Sequence, residues 1–352
     1  MRPKLASLEQ VAPFLKRIDL CNIYSNRGPL VKELEEAYSK YLSVDVELVV
    51  AISNATQAIQ GLVSISKNSN WIVPDYTFSA TGLAVLGANR KLILCDVNLT
   101  DWKVDLSLLN TKHKTHGLIP VMPFGSPVDF EPYLDFENVI IDAAASLGST
   151  PPPKFSEMPN SWAVVYSLHA TKVLGAGEGA IVVCGNHKQA NLLRTWSNFG
   201  FSYDRTSELQ GTNAKMSEVS AAYALYSVLN IESEKAEWLK SQGYVTSQTH
   251  DCIWTTFINS KPQFHPYWIA SFKNREEKNV VTKKLLQVGI QSREWWANPL
   301  SLQKAFSKSE PILSNRNAKF LSSVHLGLPM YRDLTSSIVL EIYEVIHASL
   351  KV

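Results

Sequence analysis

SLHATKVLGAGEGA, residues 167–180, places one lysine, Lys172, ahead of three glycines, Gly175, Gly177 and Gly179. A lysine beside glycines suggests phosphate binding, but the order is wrong for a nucleotide P-loop. There the lysine comes last, is followed by Ser or Thr, and opens a helix. Here the glycines run into AIVVCG (180–185), an apolar run of strand type, and WAVVYSL (162–168) precedes them. The spacing also fails the dinucleotide fingerprint, and no helix follows. Lys172 therefore needs another explanation.

Outward from this stretch, short apolar runs recur and alternate with helical patterns. LVVAIS (48–53) leads into QAIQGLVSI. WIVP (71–74), a helical TGLAVLGA (81–88), KLILCDV (91–97), GLIPVM (117–122) and VIIDAA (139–144) follow. Continuous Val- and Ile-rich runs of this length fit strands buried on both faces. Their alternation with helices predicts an α/β domain with a mostly parallel sheet. WAVVYSL and AIVVCG lack a helix between them, so one of that pair is expected to be antiparallel. SEVSAAYALYSVLN (217–230) reads as a long packed helix with Ser217 and Glu218 in its first turn. Beyond it come a strand-like PYWIASF (266–272), an amphipathic REEKNVVTKKLLQVG (275–289) and a final helix SSIVLEIYEVIHASL (336–350). The expected division is a large domain over 1–230, with the N-terminal segment, and a smaller α+β domain over 231–352.

Composition narrows the function classes. The 352 residues are 45% hydrophobic and 19% charged, a globular balance. A net charge of +2 argues against a nucleic-acid surface or a membrane-binding face. No run approaches a membrane span, and the N-terminus lacks a signal-peptide core. Cys21, Cys95, Cys184 and Cys252 lie far apart with no CxxC pair, and Cys95 and Cys184, inside strand-like runs, fit buried thiols in a reducing cytoplasm. The eight histidines form no HxxxH or HxH pattern, so no metal site is expected.

Ligands of open α/β sheets gather at the carboxyl ends of the strands. After LVVAIS come Asn54, Ala55 and Thr56. The N–H groups of a helix start and the Thr56 hydroxyl form a phosphate seat, or else a plain helix cap. After VII comes Asp142 among small residues, either a buried acid that requires a partner or a strand-end surface acid. After WAVVYS come Ser167, His169, Thr171 and Lys172. Alone, Lys172 reads as a solvated loop lysine. Jointly, a phosphate seat, an acid and a lysine match the needs of pyridoxal phosphate. Its phosphate takes N–H and hydroxyl donors, its pyridine nitrogen takes a carboxylate, and its aldehyde takes a lysine. Lysine suits because burial lowers its pKa and frees a nucleophilic amine.

These residues resemble the sugar aminotransferases of the DegT/DnrJ/EryC1/StrS group, over nearly the whole chain. YSNRGPLVKELEEAYSKYL (24–42) looks like the family's N-terminal motif. SNATQAI (53–59) is similar to its SNGTxAL, and PDYTFSAT (74–81) to its PxxTFxAT. KLILCDV and VIIDAAAS (139–146) resemble its paired strand motifs. SLHATKVLGAGEGA is similar to SxHxxK with an EGG-like tail. GTNAKMSEVSAAYAL (211–225) and LGLPMYRDLT (326–335) complete the series.

The resemblance implies a type I, aspartate aminotransferase-like fold and pyridoxal 5'-phosphate as cofactor. It implies that Lys172 forms the Schiff base and then shuttles the substrate proton, and that Asp142 binds the pyridine nitrogen. Ala55, Thr56 and Ser167 would hold the phosphate, and Phe78 would stack on the ring. Asn213 would reach the cofactor of a partner subunit, in a homodimer with shared active sites. Tyr24 and Glu178 would sit at the substrate side. Arg293, Trp295 and Trp296 would line a sugar-nucleotide site, or in the plainer reading pack as core with a surface arginine. Four departures stand out. Ala145 occupies the place of the Gln or His that serves the cofactor's 3' oxygen. Ala55 replaces Gly, Lys215 replaces Arg, and Ala180 replaces the second Gly of EGG. Some relatives are dehydratases with His in place of the lysine, and Lys172 argues against that activity.

The implied reaction moves an amine from L-glutamate to a nucleotide-linked keto sugar. SLHATK with GEGA is closer to members acting at C4 than to those acting at C3. With PVMPFGSPVD (120–129) and REWW (293–296), it resembles a subgroup making dTDP-4-amino-4,6-dideoxyglucose from dTDP-4-keto-6-deoxyglucose, for O-antigen or other glycan synthesis. The competing readings are a C3-aminotransferase or another nucleotide-sugar substrate, and a PLP-binding regulator without catalysis. A nicotinamide oxidoreductase ranks last, because GxGxxG is absent after the first strand.

Overall fold

The computed structural model describes residues 2–149, 152–202, 204–256, 266–311 and 314–350. The strands of the main sheet are β1 (Val49–Ile52), β2 (Asn70–Pro74), β3 (Lys91–Cys95), β4 (Gly117–Leu118), β5 (Ile140–Asp142), β6 (Ala163–Ser167) and β7 (Ala180–Cys184). Hydrogen bonding runs β1-β7-β6-β5 in one half and β3-β2-β4 in the other. Parallel bridges Leu118–Val139 and Val121–Asp142 join the halves into one layer. Only β7 is reversed, antiparallel to both β1 and β6. The expected mostly parallel sheet is therefore observed, and the reversed strand belongs to the pair that lacks a connecting helix.

Each of these strands feeds two cores. Val49 and Ala51 pack on one face, Val50 and Ile52 on the other, and all four are buried. The same alternation holds in β6 and β7. Burial on both faces is why these strands read as unbroken apolar runs. One face carries α1 (Leu8–Cys21) and α2 (Pro29–Leu42). The other carries α3 (Ala55–Ile65), α4 (Ser79–Gly87) and α5 (His187–Ser197). α6 (Glu218–Leu229) joins the first face, with Ser217 as its N-cap rather than in its first turn.

Glu218 fixes how α2 starts. Its buried carboxylate accepts from the N–H groups of Leu30 (2.6 Å) and Val31 (3.3 Å). Pro29 at the first position has no N–H to satisfy, so one side chain caps the rest of the first turn.

α7 (Ile231–Thr249) follows α6 after a single residue, a helix that the sequence pattern did not predict. A second, antiparallel sheet then combines β8 (Thr255–Thr256) and β9 (Trp268–Ser271) with a later strand. After α8 (Arg275–Gln287) the chain returns to the large sheet. β10 (Glu310–Pro311) pairs in parallel with β3. α9 (Arg316–Val324), β11 (His325–Leu328) and α10 (Ser336–Leu350) complete the chain, and β11 pairs with β9.

Two strand-end acids tie the returning segment down. Asp75 accepts from the N–H (2.7 Å) and hydroxyl (2.6 Å) of Ser301. Asp96 accepts from the N–H groups of Asn317 (3.0 Å) and Ala318 (2.8 Å), capping α9. Tyr76 and His325 Nδ1 add a buried contact at 2.8 Å. Burial pushes His325 down to about 3, so the ring is neutral near pH 7. Among the described residues, no helix is long and apolar enough to cross a membrane.

Candidate active site

Lys172 rides the tip of the β6–β7 hairpin. Ladder bonds continue past the strands, from Leu168 N–H to the Gly179 carbonyl and from Ala170 N–H to the Gly177 carbonyl, both 2.8 Å. Gly177 has a φ of +90°, and a Cβ on Gly175 would meet the Ala170 carbonyl oxygen at 2.9 Å. The glycines thus close a tight hairpin under the lysine and are not a phosphate cradle. Lys172 Nζ lies 2.8 Å from the hydroxyl of Tyr267.

Asp142 ends β5, beside β6, and is 6% exposed. It accepts from Thr81 Oγ1 at 2.7 Å and from the Ala144 N–H at 3.1 Å. Burial raises its carboxyl above the usual range. The Thr81 hydroxyl, the Ala144 N–H and the nearby Lys172 charge oppose that rise. Ser167 ends β6, half a turn of chain before Lys172, and its hydroxyl accepts from the His169 N–H at 3.2 Å. Ala55 and Thr56 open α3, where Asn54 is the N-cap and its side chain accepts from the Gln57 N–H at 2.9 Å. The N–H groups of Ala55 and Thr56 lie ahead of that bond, at the positive end of the helix. The plain-cap reading of this segment therefore belongs to Asn54, leaving its neighbours for an anion.

Phe78 stands just before α4 as its N-cap residue and is 61% exposed. Tyr24 (53%) and Glu178 (63% by side chain) are also exposed. Glu178 sits 3.7 Å from His169 Nε2, on the same hairpin as Lys172. Asn213 is exposed and bridges to Asn198 through the backbone.

Trp295 and Trp296 pack as the plainer reading expected. They are half-buried and belong to an aromatic cluster. Trp296 stacks on Phe124 at 4.2 Å and meets Tyr76 edge-on at 4.8 Å. Trp295 meets Tyr267 edge-on at 5.3 Å, which carries the cluster to Lys172. Arg293 is exposed, with its guanidinium 5.0 Å from the Trp295 ring, and its backbone pairs with Gly327. Phe124 holds its place at a left-handed φ of 49°, a strained backbone for a buried phenylalanine.

Three residues of this site escaped the sequence reading. Thr81 lies within PDYTFSAT but carried no role, although its spacing from Phe78 puts it one helical turn on. Phe124 lies within PVMPFGSPVD. Tyr267 had only a strand pattern around it, with no signal linking it to a lysine 95 positions earlier.

The donor set suits pyridoxal phosphate: an amine, a buried carboxylate held by two donors, and a helix N-terminus with a nearby hydroxyl, all at the carboxyl edge of one sheet. Fold and donor set together define a pyridoxal phosphate aminotransferase of type I architecture. A solved structure described as a PLP-dependent aminotransferase of Bacillus cereus superposes with a TM-score of 0.90, covering 99% of this chain and 98% of its own at 22% identity. The chain belongs to the DegT/DnrJ/EryC1/StrS aminotransferase family, which it matches over residues 9–347 and which uses pyridoxal phosphate. It is 24% identical to the dTDP-4-amino-4,6-dideoxy-D-glucose transaminase of Shigella dysenteriae, over 96% of this chain and 95% of the relative. DesI, solved with its TDP-sugar product, superposes with a TM-score of 0.86 at 22% identity, over 99% of this chain and 92% of its own.

Proposed function

We propose that this aminotransferase transfers the amine of L-glutamate to a nucleotide-linked keto sugar, dTDP-4-keto-6-deoxyglucose by preference, giving the 4-amino sugar. The observation that carries the reading is buried Asp142 within electrostatic reach of Lys172 at one sheet edge, with a buried aromatic cluster that meets Lys172 through Tyr267. The likeness to the Shigella transaminase and to DesI supports a nucleotide sugar.

Bound pyridoxal phosphate supplies an electron sink for the carbon that carries the amine. Asp142 keeps the pyridine nitrogen protonated, an ion pair that offsets the cost of burying its carboxylate. The N–H groups of Ala55 and Thr56, with Ser167, orient the phosphate. Phe78 covers one ring face and excludes water from it. Lys172 Nζ would take up and hold the proton of the substrate carbon that carries the amine. Tyr24, Glu178, Arg293, Trp295 and Trp296 face the sugar nucleotide, Arg293 as a bidentate donor to the diphosphate.

Two copies complete the site, Asn213 of each reaching the other's cofactor phosphate; its exposure supports this role. Residues 1–230 form the cofactor domain and 231–352 the smaller domain, from which β10 and the segments around Ser301 and Asn317 pack back on the large sheet. The buried thiols of Cys95 and Cys184 support a cytoplasmic setting, upstream of O-antigen or similar glycan assembly.

The test is the visible spectrum of purified, cofactor-loaded protein, before and after L-glutamate and then a panel of nucleotide keto sugars. A band that glutamate converts and that dTDP-4-keto-6-deoxyglucose restores supports the reading. Product analysis distinguishes amination at C4 from C3. A band insensitive to every amino donor, or Lys172→Ala that retains turnover, overturns it.

A further inference from the structure

The buried face of α8 consists of Lys278, Val281 and Leu285. Spacings of three and four residues trace the stripe of a helix that ordinarily holds apolar side chains. Lys278 is nevertheless only 2% exposed. Its Nζ donates to Glu294 Oε2 at 2.9 Å and to the Ser322 carbonyl in α9 at 3.3 Å. A buried ion pair is a poor source of stability, because the cost of desolvating the ammonium offsets the attraction. Apolar residues of similar volume often serve as well. Its best-attested use is to fix one arrangement of the segments it joins.

The segment joined here is Arg293–Trp296. Its first residue is stitched to β11. The Arg293 N–H donates to the Gly327 carbonyl at 2.9 Å, and the Gly327 N–H donates to the Arg293 carbonyl at 2.8 Å. Gly327 also makes room for the segment's indole, since a Cβ there would meet Trp295 Cδ1 at 2.5 Å and collide with Nε1. Trp295 therefore lies against bare backbone. The exposed Arg293 guanidinium stands 5.0 Å from its ring, a cation held on an aromatic face.

We infer that Lys278 is a positioning residue for nucleotide-sugar binding: through Glu294 it holds the Arg293–Trp296 segment on β11, where Trp295 is the platform that presents the Arg293 guanidinium to the diphosphate. The inference rests on the nucleotide-sugar reading above. It adds to that reading a residue that touches neither substrate nor cofactor. A long side chain fixed beforehand loses less freedom on binding, so the effect is on affinity for the nucleotide.

The experiment is calorimetric titration of the cofactor-loaded protein with dTDP, and with UDP as a second probe. Wild type is compared with Lys278→Met, Arg293→Ala and the double variant. Methionine keeps most of the stem and drops the charge, and melting curves check the fold. The Kd in Lys278→Met is expected to rise about threefold to tenfold. Once Arg293→Ala is present, Lys278→Met is expected to add nothing, because the two act through one contact. Gly327→Ala, which displaces the platform while leaving Lys278 in place, is expected to show a loss of the same size. An unchanged Kd in Lys278→Met overturns the inference and leaves the ion pair as a packing contact. A full further loss in the Arg293→Ala background also overturns it, since Lys278 then acts without Arg293. Wild-type protein that binds neither nucleotide overturns the nucleotide-sugar reading instead, so the two failures are distinguishable.

Discussion

Thr81 Oγ1 donates to Asp142 Oδ2 at 2.7 Å, joining the first turn of α4 to the end of β5 across 61 positions of sequence. Both residues are buried, and Thr77 stands 3.3 Å from the Thr81 hydroxyl on the far side. The bond fixes which way the carboxylate points.

Thr81→Val keeps the shape and removes the donor. A hydrogen bond to a charged acceptor contributes about 1.5–3 kcal/mol. Pyridoxal phosphate is expected to bind about tenfold to a hundredfold more weakly, with the fold intact by circular dichroism. Equilibrium dialysis of the variant checks this, and unchanged affinity would show that Ala144 alone orients Asp142.

Burial raises the Asp142 carboxyl in the cofactor-free protein, so the folded state holds its proton to higher pH than the unfolded chain does. Stability from this group is present at acidic pH and is lost as pH rises from the unfolded carboxylate pKa through the raised folded one. Asp142→Asn removes that loss. The expected outcome is a higher Tm for the cofactor-free variant at pH 7, a smaller Tm difference near pH 4, and transamination reduced by about a hundredfold or more. Melting curves at the two pH values decide it.

Glu218→Ala leaves the N–H groups of Leu30 and Val31 buried without their acceptor. The expected cost is about 2–4 kcal/mol in urea denaturation. Glu218→Gln retains one acceptor and is expected to cost less. Because the Glu218 carboxyl also lies against Gly28, where an added Cβ would meet its Cδ at 2.8 Å, proteolysis in the 22–28 loop should rise in step with the loss.

Arg293→Ala separates the substrates. The guanidinium lies over Trp295, at the outer end of the aromatic wall. KM for the nucleotide sugar is expected to rise about tenfold, the scale of one charge-assisted contact, while the glutamate half-reaction stays unchanged. Single-turnover spectra with each substrate alone measure the split, and equal losses in both halves would return Arg293 to a structural role.

Much of the site was legible because its parts are local. Asp142, Ser167 and Lys172 each follow an apolar run, and the ligand side of such a sheet is the carboxyl end. The Asn54–Thr56 segment carried the signature of a helix start. α7 was not legible, since its apolar positions are sparse on a largely polar helix. Nor was the return of residues 300–311 and 314–318 to the large sheet, which rests on Asp75 and Asp96 meeting Ser301, Asn317 and Ala318 more than two hundred positions later.

By itself, the order of residues determined the doubly buried strands, a reversal within the WAVVYSL–AIVVCG pair, and the placing of Asp142, Lys172 and the Asn54 helix start behind strands. These follow from periodicity and from groups a few positions apart, where backbone geometry leaves little freedom. Only the tertiary structure decided what surrounds that chemistry. It chose Thr81 to hold Asp142, Tyr267 to meet Lys172, and Phe124 to seat Trp296. Such pairs form only when crossovers and core packing bring distant segments together, and no local pattern encodes a meeting across 95 residues.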